Sequence, residues 1–188
     1  MSKYVDAYGR HLWRVDQDLT DSGNPSFRSR TCLTPAWSGY SFTFVRCGSC
    51  SECMKARRWR WYFRCLTEIN TWPRAWFVTL TFRSIPENPY REVQLWLKRL
   101  RKTYKESIRY IVAQEHGTKN GRIHYHLLLF GQQSLKRRTI EDPWKSGFSN
   151  AKLATPDSAA YVTKYLMKSN ARVRASAHFG KGYENVPF

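Results

Sequence analysis

With 188 residues, 41% hydrophobic and 15% aromatic, the chain can build one domain with a sizeable core and an appended module. Its 32 Lys and Arg against 14 Asp and Glu give a formal charge of +18, which points to a polyanionic partner. No apolar run is long enough for a signal peptide or a membrane span, so the expectation is a soluble chain in the cytoplasm with no membrane partner.

Nucleic acid is the expected polyanion rather than an anionic membrane surface, because the basic residues are interleaved with Trp and Tyr that can stack on bases. Residues 1–46 are punctuated by Gly, Pro, Ser and Asn, and only SFTFV (41–45) reads as a strand. The segment is expected to be irregular and packed on the core by its aromatics. Next comes CGSCSEC, with Cys47, Cys50 and Cys53 at Cys-x-x-Cys-x-x-Cys spacing. In a reducing compartment these are thiols rather than disulfides. A structural zinc (Zn2+) needs a fourth ligand, and Cys32 or Cys65 could supply it. Cys65 lies one helical face away, which favours Cys32. The spacing also occurs in iron–sulfur ligation, and three unliganded thiols capping a helix are the plain alternative.

Residues 52–71 read as a helix on which Arg57, Arg60 and Arg64 form one basic stripe, either a DNA-phosphate contact or a solvated face. Met54, Trp61, Cys65 and Ile69 lie elsewhere on the wheel and could face the core. A strand follows at 75–82, with Trp76, Val78, Leu80 and Phe82 on one face and Phe77, Thr79 and Thr81 on the other. Pro86 and Pro89 break the chain before an amphipathic helix at 90–104, with Val93, Trp96, Leu97 and Leu100 inward. Residues 108–117 and 122–130 read as two strands joined by a loop containing Asn120-Gly121, a type I′ hairpin signal. A polar stretch, 132–154, leads to a helix with Thr155 as N-cap and Pro156 at its first position. The implied fold class is α+β: one antiparallel sheet with packed helices. The expected segments are 1–46, the Cys-rich segment and basic helix 47–71, a core 72–170, and a basic tail 171–188.

Two constellations carry chemistry. In the strand GRIHYHLLLFG, His124 and His126 sit at i and i+2 and so share a face, about 7 Å apart. A two-residue turn pairs His126 with Glu115, and a register slid by one step pairs His124 with Glu115. Either way the carboxylate joins the histidine face, because the side-chain period is 2. Two imidazoles and a carboxylate suit Mg2+ or Mn2+ with open positions. Gln114 and His116 fall on the opposite face. On the last helix, Tyr161, Lys164, Tyr165 and Lys168 recur at i, i+3, i+4 and i+7. Two phenols interleaved with ammonium groups suit phosphate chemistry: a phenolate is a competent nucleophile at phosphorus when nearby positive charge assists it.

The strand FVTLTF (77–82), the His-Tyr-His pair and the helix YVTKY (161–165) together resemble the three ordered motifs of HUH endonucleases. CGSCSECMKARRWRW, KRLRK (98–102) and EHGTKNGRIHYH resemble segments of the replication initiators of Microviridae, in particular the gokushovirus-like group. The resemblance spans roughly 47–170. It implies an HUH-type fold and a site-specific nick in circular single-stranded phage DNA at an origin, with the 5′ end kept as a phosphotyrosine. Carried onto matching positions, it makes Tyr161 and Tyr165 nucleophiles, Lys164 the assisting cation, and His124 and His126 metal ligands. Glu115 as third ligand rests on the hairpin reading. The implied setting is the bacterial host cytoplasm with host replication machinery as partner. An HUH transposase or relaxase, or a non-catalytic DNA- or RNA-binding module, are the alternatives.

Overall fold

A computed structural model describes residues 32–40, 43–117, 121–165 and 173–181. The chain divides into two compact units, residues 1–57 with 184–188, and residues 58–183. Among the described residues no helix is long and apolar enough to cross a membrane.

In the first unit, strands β1 (Ala36–Ser38) and β2 (Thr43–Val45) pair antiparallel. The strand expected at 41–45 is thus real but shorter, and β1 is an addition. AWS is too short to show a period, and only pairing to β2 makes it a strand. Trp37 packs edge-on against Phe44 at 5.3 Å. Helix α1 (Ser51–Thr71) begins here and crosses the unit boundary.

The second unit holds a five-stranded antiparallel sheet in the order β6-β3-β5-β4-β7. Its strands are β3 (Arg74–Thr81), β4 (Arg109–His116), β5 (Ile123–Gly131), β6 (Ser149–Leu153) and β7 (Arg174–Ala175). β5 is central and buried on both faces from Tyr125 to Gly131, which explains its nearly continuous apolar run. On one face, Val78, Leu80, Phe82, Tyr125, Leu127 and Leu129 pack against helix α2 (Pro89–Tyr104) and helix α3 (Arg137–Glu141). The inward residues of α2 are those its period predicts, with Tyr104 added. Buried indoles on this side satisfy their N–H groups on carbonyls: Trp96 Nε1 donates to Ile140 O at 2.8 Å and Trp76 Nε1 to Leu135 O at 3.1 Å.

The opposite face carries Phe77, Ile111, Ala113, Leu128 and Phe130. These pack with Cys65 of α1, with Ala159, Val162 and Tyr165 at helix α4 (Pro156–Lys164), and with Phe179. Glu68, 2% exposed, is the polar clamp here. It accepts from Trp72 Nε1 at 2.6 Å, Arg109 NH1 at 2.9 Å and Gly180 N at 2.6 Å. A buried carboxylate with three donors is tolerated because each bond replaces lost hydration.

Three local readings are corrected. Pro89 does not break the chain; it is the first residue of α2, and Asn88 caps the helix by accepting from Arg91 N. The polar stretch 132–154 contains α3 and β6, and the tail contains β7. SNAKL has no apolar alternation and becomes a strand by pairing to the edge of β3. The hairpin pairs His116 with Ile123, and Gly117 N donates to Arg122 O at 2.8 Å, so four residues separate the closing pair instead of two. Gly121 takes φ of 61°, where glycine is favoured; Asn120 lies outside the described residues.

Candidate active site and metal centre

Glu115, His124 and Thr81 form one cross-strand row of the sheet; Ala113, His126 and Thr79 form the next. Of the two registers open to the sequence, the one that pairs Glu115 with His124 is adopted. Glu115 nevertheless bonds diagonally: its Oε2 is 2.7 Å from His126 Nε2. The other ring nitrogen, Nδ1, meets Thr79 Oγ1 at 3.2 Å. Burial lowers the His126 pKa, with the Glu115 carboxylate opposing, so the ring is neutral near pH 7, the form that ligates metals. Gly117 leaves room for the second ring: a Cβ there would sit 3.3 Å from His124 Cε1.

Both tyrosines of α4 reach His126. Its ring stacks on Tyr165 at 5.6 Å and 15° and on Phe77 at 5.7 Å and 11°. Tyr161 meets it edge-on at 5.1 Å, and the two phenol rings are 5.2 Å apart. Their environments differ. Tyr161 is 41% exposed, whereas Tyr165 is 5% exposed. Burial pushes the Tyr165 pKa far up, and hydrogen bonds to Tyr161 and Glu115 add to the effect by favouring the protonated phenol. Lys164 is exposed on α4; Lys168 lies outside the described residues.

One site-face residue has no sequence signal. Lys152 of β6 pairs with Phe77, and its Nζ lies 5.3 Å from the Phe77 ring centroid. Phe77 in turn touches Tyr161 edge-on at 5.6 Å. Only the β3–β6 ladder brings this cation beside the tyrosine. Gln114 and His116 fall on the opposite face by parity, where Gln114 Oε1 accepts from Tyr125 OH at 3.1 Å.

The histidine–carboxylate trio shares a face without converging. His126 Nε2 and Glu115 Oε2 are spaced much like two cis ligands of an octahedral ion, which at about 2.1 Å from the metal stand roughly 3 Å apart. His124 occupies the adjacent row. The donor chemistry fits Mg2+ or Mn2+: neutral imidazole and carboxylate, with open positions toward the tyrosines.

In the first unit, by contrast, four ligand atoms do converge. The Sγ atoms of Cys32, Cys47, Cys50 and Cys53 all lie within 4.8 Å of one another. Cys32 and Cys47 are 3.7 Å apart, and Cys47 and Cys53 3.9 Å. A tetrahedron of sulfurs at about 2.3 Å from zinc has edges of roughly 3.8 Å. Backbone N–H groups of Leu33, Cys47, Cys50 and Cys53 point at these sulfurs at 3.3–3.5 Å. Hydrogen bonds, chiefly from Thr34, lower the Cys47 pKa to about 5 and others lower that of Cys50, whereas burial pushes Cys53 up to about 11. The quartet is a candidate metal site for a single ion; a multi-iron cluster holds its thiolates on separate irons. Cys65 belongs to the core of the second unit, where burial pushes its pKa far up.

The arginine stripe splits. Arg57 falls in the first unit and Arg60 is exposed in the second. Arg64 is used inside the fold: its Nε donates to Phe179 O at 2.9 Å, its NH2 donates to the same oxygen, and its guanidinium lies 4.4 Å from the Trp61 ring centroid. That tie corrects the expectation of an open three-residue phosphate stripe.

Residues 75–170, just over half of the chain, match the family model of the replication-associated protein ORF2. The chain is similar to the replication-associated protein ORF2 of Spiroplasma virus 4, 29% identical over 66% of this chain and 48% of that one. It is 25% identical to the replication-associated protein ORF4 of Chlamydia phage 1, over 68% of this chain and 39% of that one. With the replication-associated protein VP4 of Bdellovibrio phage phiMH2K the figures are 27%, 73% and 52%. The chain thus spans about half the length of the curated relatives it matches. Among solved structures it is similar to the hypothetical protein ORF119 from Sulfolobus islandicus rod-shaped virus 1, at 17% identity and a TM-score of 0.41, covering 55% of this chain and 89% of that one. The match across β3, the histidine strand and the tyrosine helix agrees with what those motifs resemble, and the chain belongs to the replication-associated protein ORF2 family.

Proposed function

We propose that the protein is a site-specific single-strand DNA nickase and ligase that starts rolling-circle replication of a circular single-stranded phage genome. The observation that carries this reading is the packing of both Tyr161 and Tyr165 against His126, on the face that also holds Glu115 and His124. The Tyr161 oxygen attacks the scissile phosphorus, the P–O3′ bond breaks, and the 3′ oxygen takes up a proton equivalent to the one the phenol gives up. The product is a 5′-phosphotyrosine and a free 3′-OH. No water enters, so attack by a 3′-OH reverses the step and ligates without ATP.

His124, His126 and Glu115 are the residues that would hold the divalent ion, whose chemistry is to polarise the scissile phosphate. Thr79 orients the His126 ring from the far nitrogen. Lys164 and Lys152 supply positive charge for the pentavalent transition state. The cysteine quartet holds a structural zinc. The working partners are the phage origin and host replication proteins in the bacterial cytoplasm.

The test is incubation with circular single-stranded phage-type DNA and Mn2+. A covalent protein–DNA adduct is expected, and it is lost in the His124→Ala, His126→Ala double variant. DNA binding without any adduct from the unaltered protein would leave only a binding module. A second expected result concerns Lys152. Replacing it by Met slows single-turnover adduct formation by about 10–100-fold, and Lys152→Arg restores most of the rate. Equal rates for all three proteins would remove Lys152 from the site.

A further inference from the structure

The sheet face opposite the tyrosines carries a second feature. Between α2 and α3 lies a cavity of about 450 Å3, lined by Arg99, Lys102, Arg138 and Lys145, with Asp142 as the one carboxylate. Arg99 and Lys102 stand at i and i+3 and so share a face of α2. The walls are held rigidly. Trp96, fully buried, bonds Ile140 O across the helix pair, and Arg99 Nε donates to Pro143 O at 2.9 Å. Arg99 NH2, in contrast, is a buried donor with no acceptor among the described residues. Leaving such a group unsatisfied is costly, and four cations around one cavity repel one another. A bound anion offsets both costs. The core beneath does not need these charges: the inward residues of α2 are all apolar or aromatic.

We infer that this groove is a second DNA-binding site, taking the phosphate backbone of a duplex segment while a single strand occupies the tyrosine face. The inference rests on the proposed function for the identity of the polyanion. Duplex is favoured over single strand because the lining contains no aromatic ring on which a base could stack. Its remaining polar groups, the Thr103 and Thr139 hydroxyls, are backbone-phosphate donors. The preformed walls make binding cheap in ordering entropy, and the site reads no sequence, so it would hold DNA flanking the nick.

The test is a salt titration of fluorescence anisotropy with a labelled random-sequence duplex and a single strand of equal length. The Lys102→Ala, Arg138→Ala, Lys145→Ala variant changes only exposed residues and leaves Arg99 in place. A control triple, Arg83→Ala, Arg122→Ala, Lys181→Ala, removes the same charge from exposed positions outside the groove. The groove variant is expected to weaken duplex binding at least about tenfold and to reduce the log–log salt slope by about 2–3. Single-strand binding should change no more than in the control. Adduct formation on a short single-stranded oligonucleotide stays at the unaltered rate. Duplex affinity no weaker than that of the control triple overturns the inference, and so does an equal loss for single strand and duplex. Failure of the nickase reading shows up separately, as the absence of adduct from the unaltered protein.

Discussion

Tyr161→Phe is expected to cut covalent adduct formation by at least about 10³-fold, the scale on which loss of a nucleophile registers. Tyr165→Phe should leave the first adduct intact and block the second transfer, which closes the circle. The two phenols fall one helical turn apart, and spacing alone makes them equivalent. Their surroundings do not. Tyr161 is 41% exposed and meets His126 with its edge, open to an incoming strand. Tyr165 is 5% exposed, stacked on the same imidazole, and burial with hydrogen bonds to Tyr161 and Glu115 holds its phenol protonated. Tyr165 therefore becomes reactive only once those bonds are exchanged, after Tyr161 has been esterified. A denaturing gel with labelled substrate separates the outcomes, and equal loss of first-cut adduct in the two single variants would end the division of labour.

Removing the metal from the cysteine quartet is the second large expected effect. The protein as purified should carry one zinc per chain. Chelation should release it together with proton uptake by the thiolates, because the lowered Cys47 and Cys50 pKa values keep those groups ionised near neutral pH. A depressed folded-state pKa means that the stabilising charge is present above the unfolded value and lost as pH falls through the folded one. For Cys47 that loss comes near pH 5, so zinc should dissociate on mild acidification. Cys47→Ser is expected to lower zinc affinity by more than the roughly 10–100-fold that outer-shell changes cost. Cobalt substitution provides the check: tetrahedral thiolate coordination gives strong visible absorption in the unaltered protein, and its absence would exclude the site. Cys65→Ser should retain the cobalt spectrum, because Cys65 sits in the core of the second unit.

Which residues share a face was legible in the chain. The alternation of FVTLTF, the His-x-His step and the helical period of α2 are local consequences of periods 2 and 3.6. They placed Phe77 with Thr79, His124 with His126, and Val93 with Trp96, Leu97 and Leu100, as the structure has them. Period 2 likewise put Glu115 on the histidine face whichever register held. The register itself was not legible, because Asn120-Gly121 signals a turn without setting the width of the loop. Four residues separate Gly117 from Arg122, and that choice pairs Glu115 with His124.

β6 and α3 were illegible for a different reason. SNAKL has neither β-branched residues nor alternation, and RRTIE is too short to display a helical period; each is formed by the neighbour it packs on. Lys152 came to the tyrosine face, and the cationic groove came into being, only through those two elements. Arg64 reads as a solvated or DNA-facing charge on a helical wheel, yet it ties down the Phe179 carbonyl.

By itself the sequence determined the chemical inventory, the faces on which it lies and the family to which the chain belongs, since motif order and side-chain period are properties of the chain. Tertiary structure alone decided the distances and burials: the diagonal bond of Glu115 to His126, the unequal tyrosines, and the convergence of Cys32 with Cys47, Cys50 and Cys53. Those depend on pairings between segments far apart in sequence, and no local period encodes such pairings.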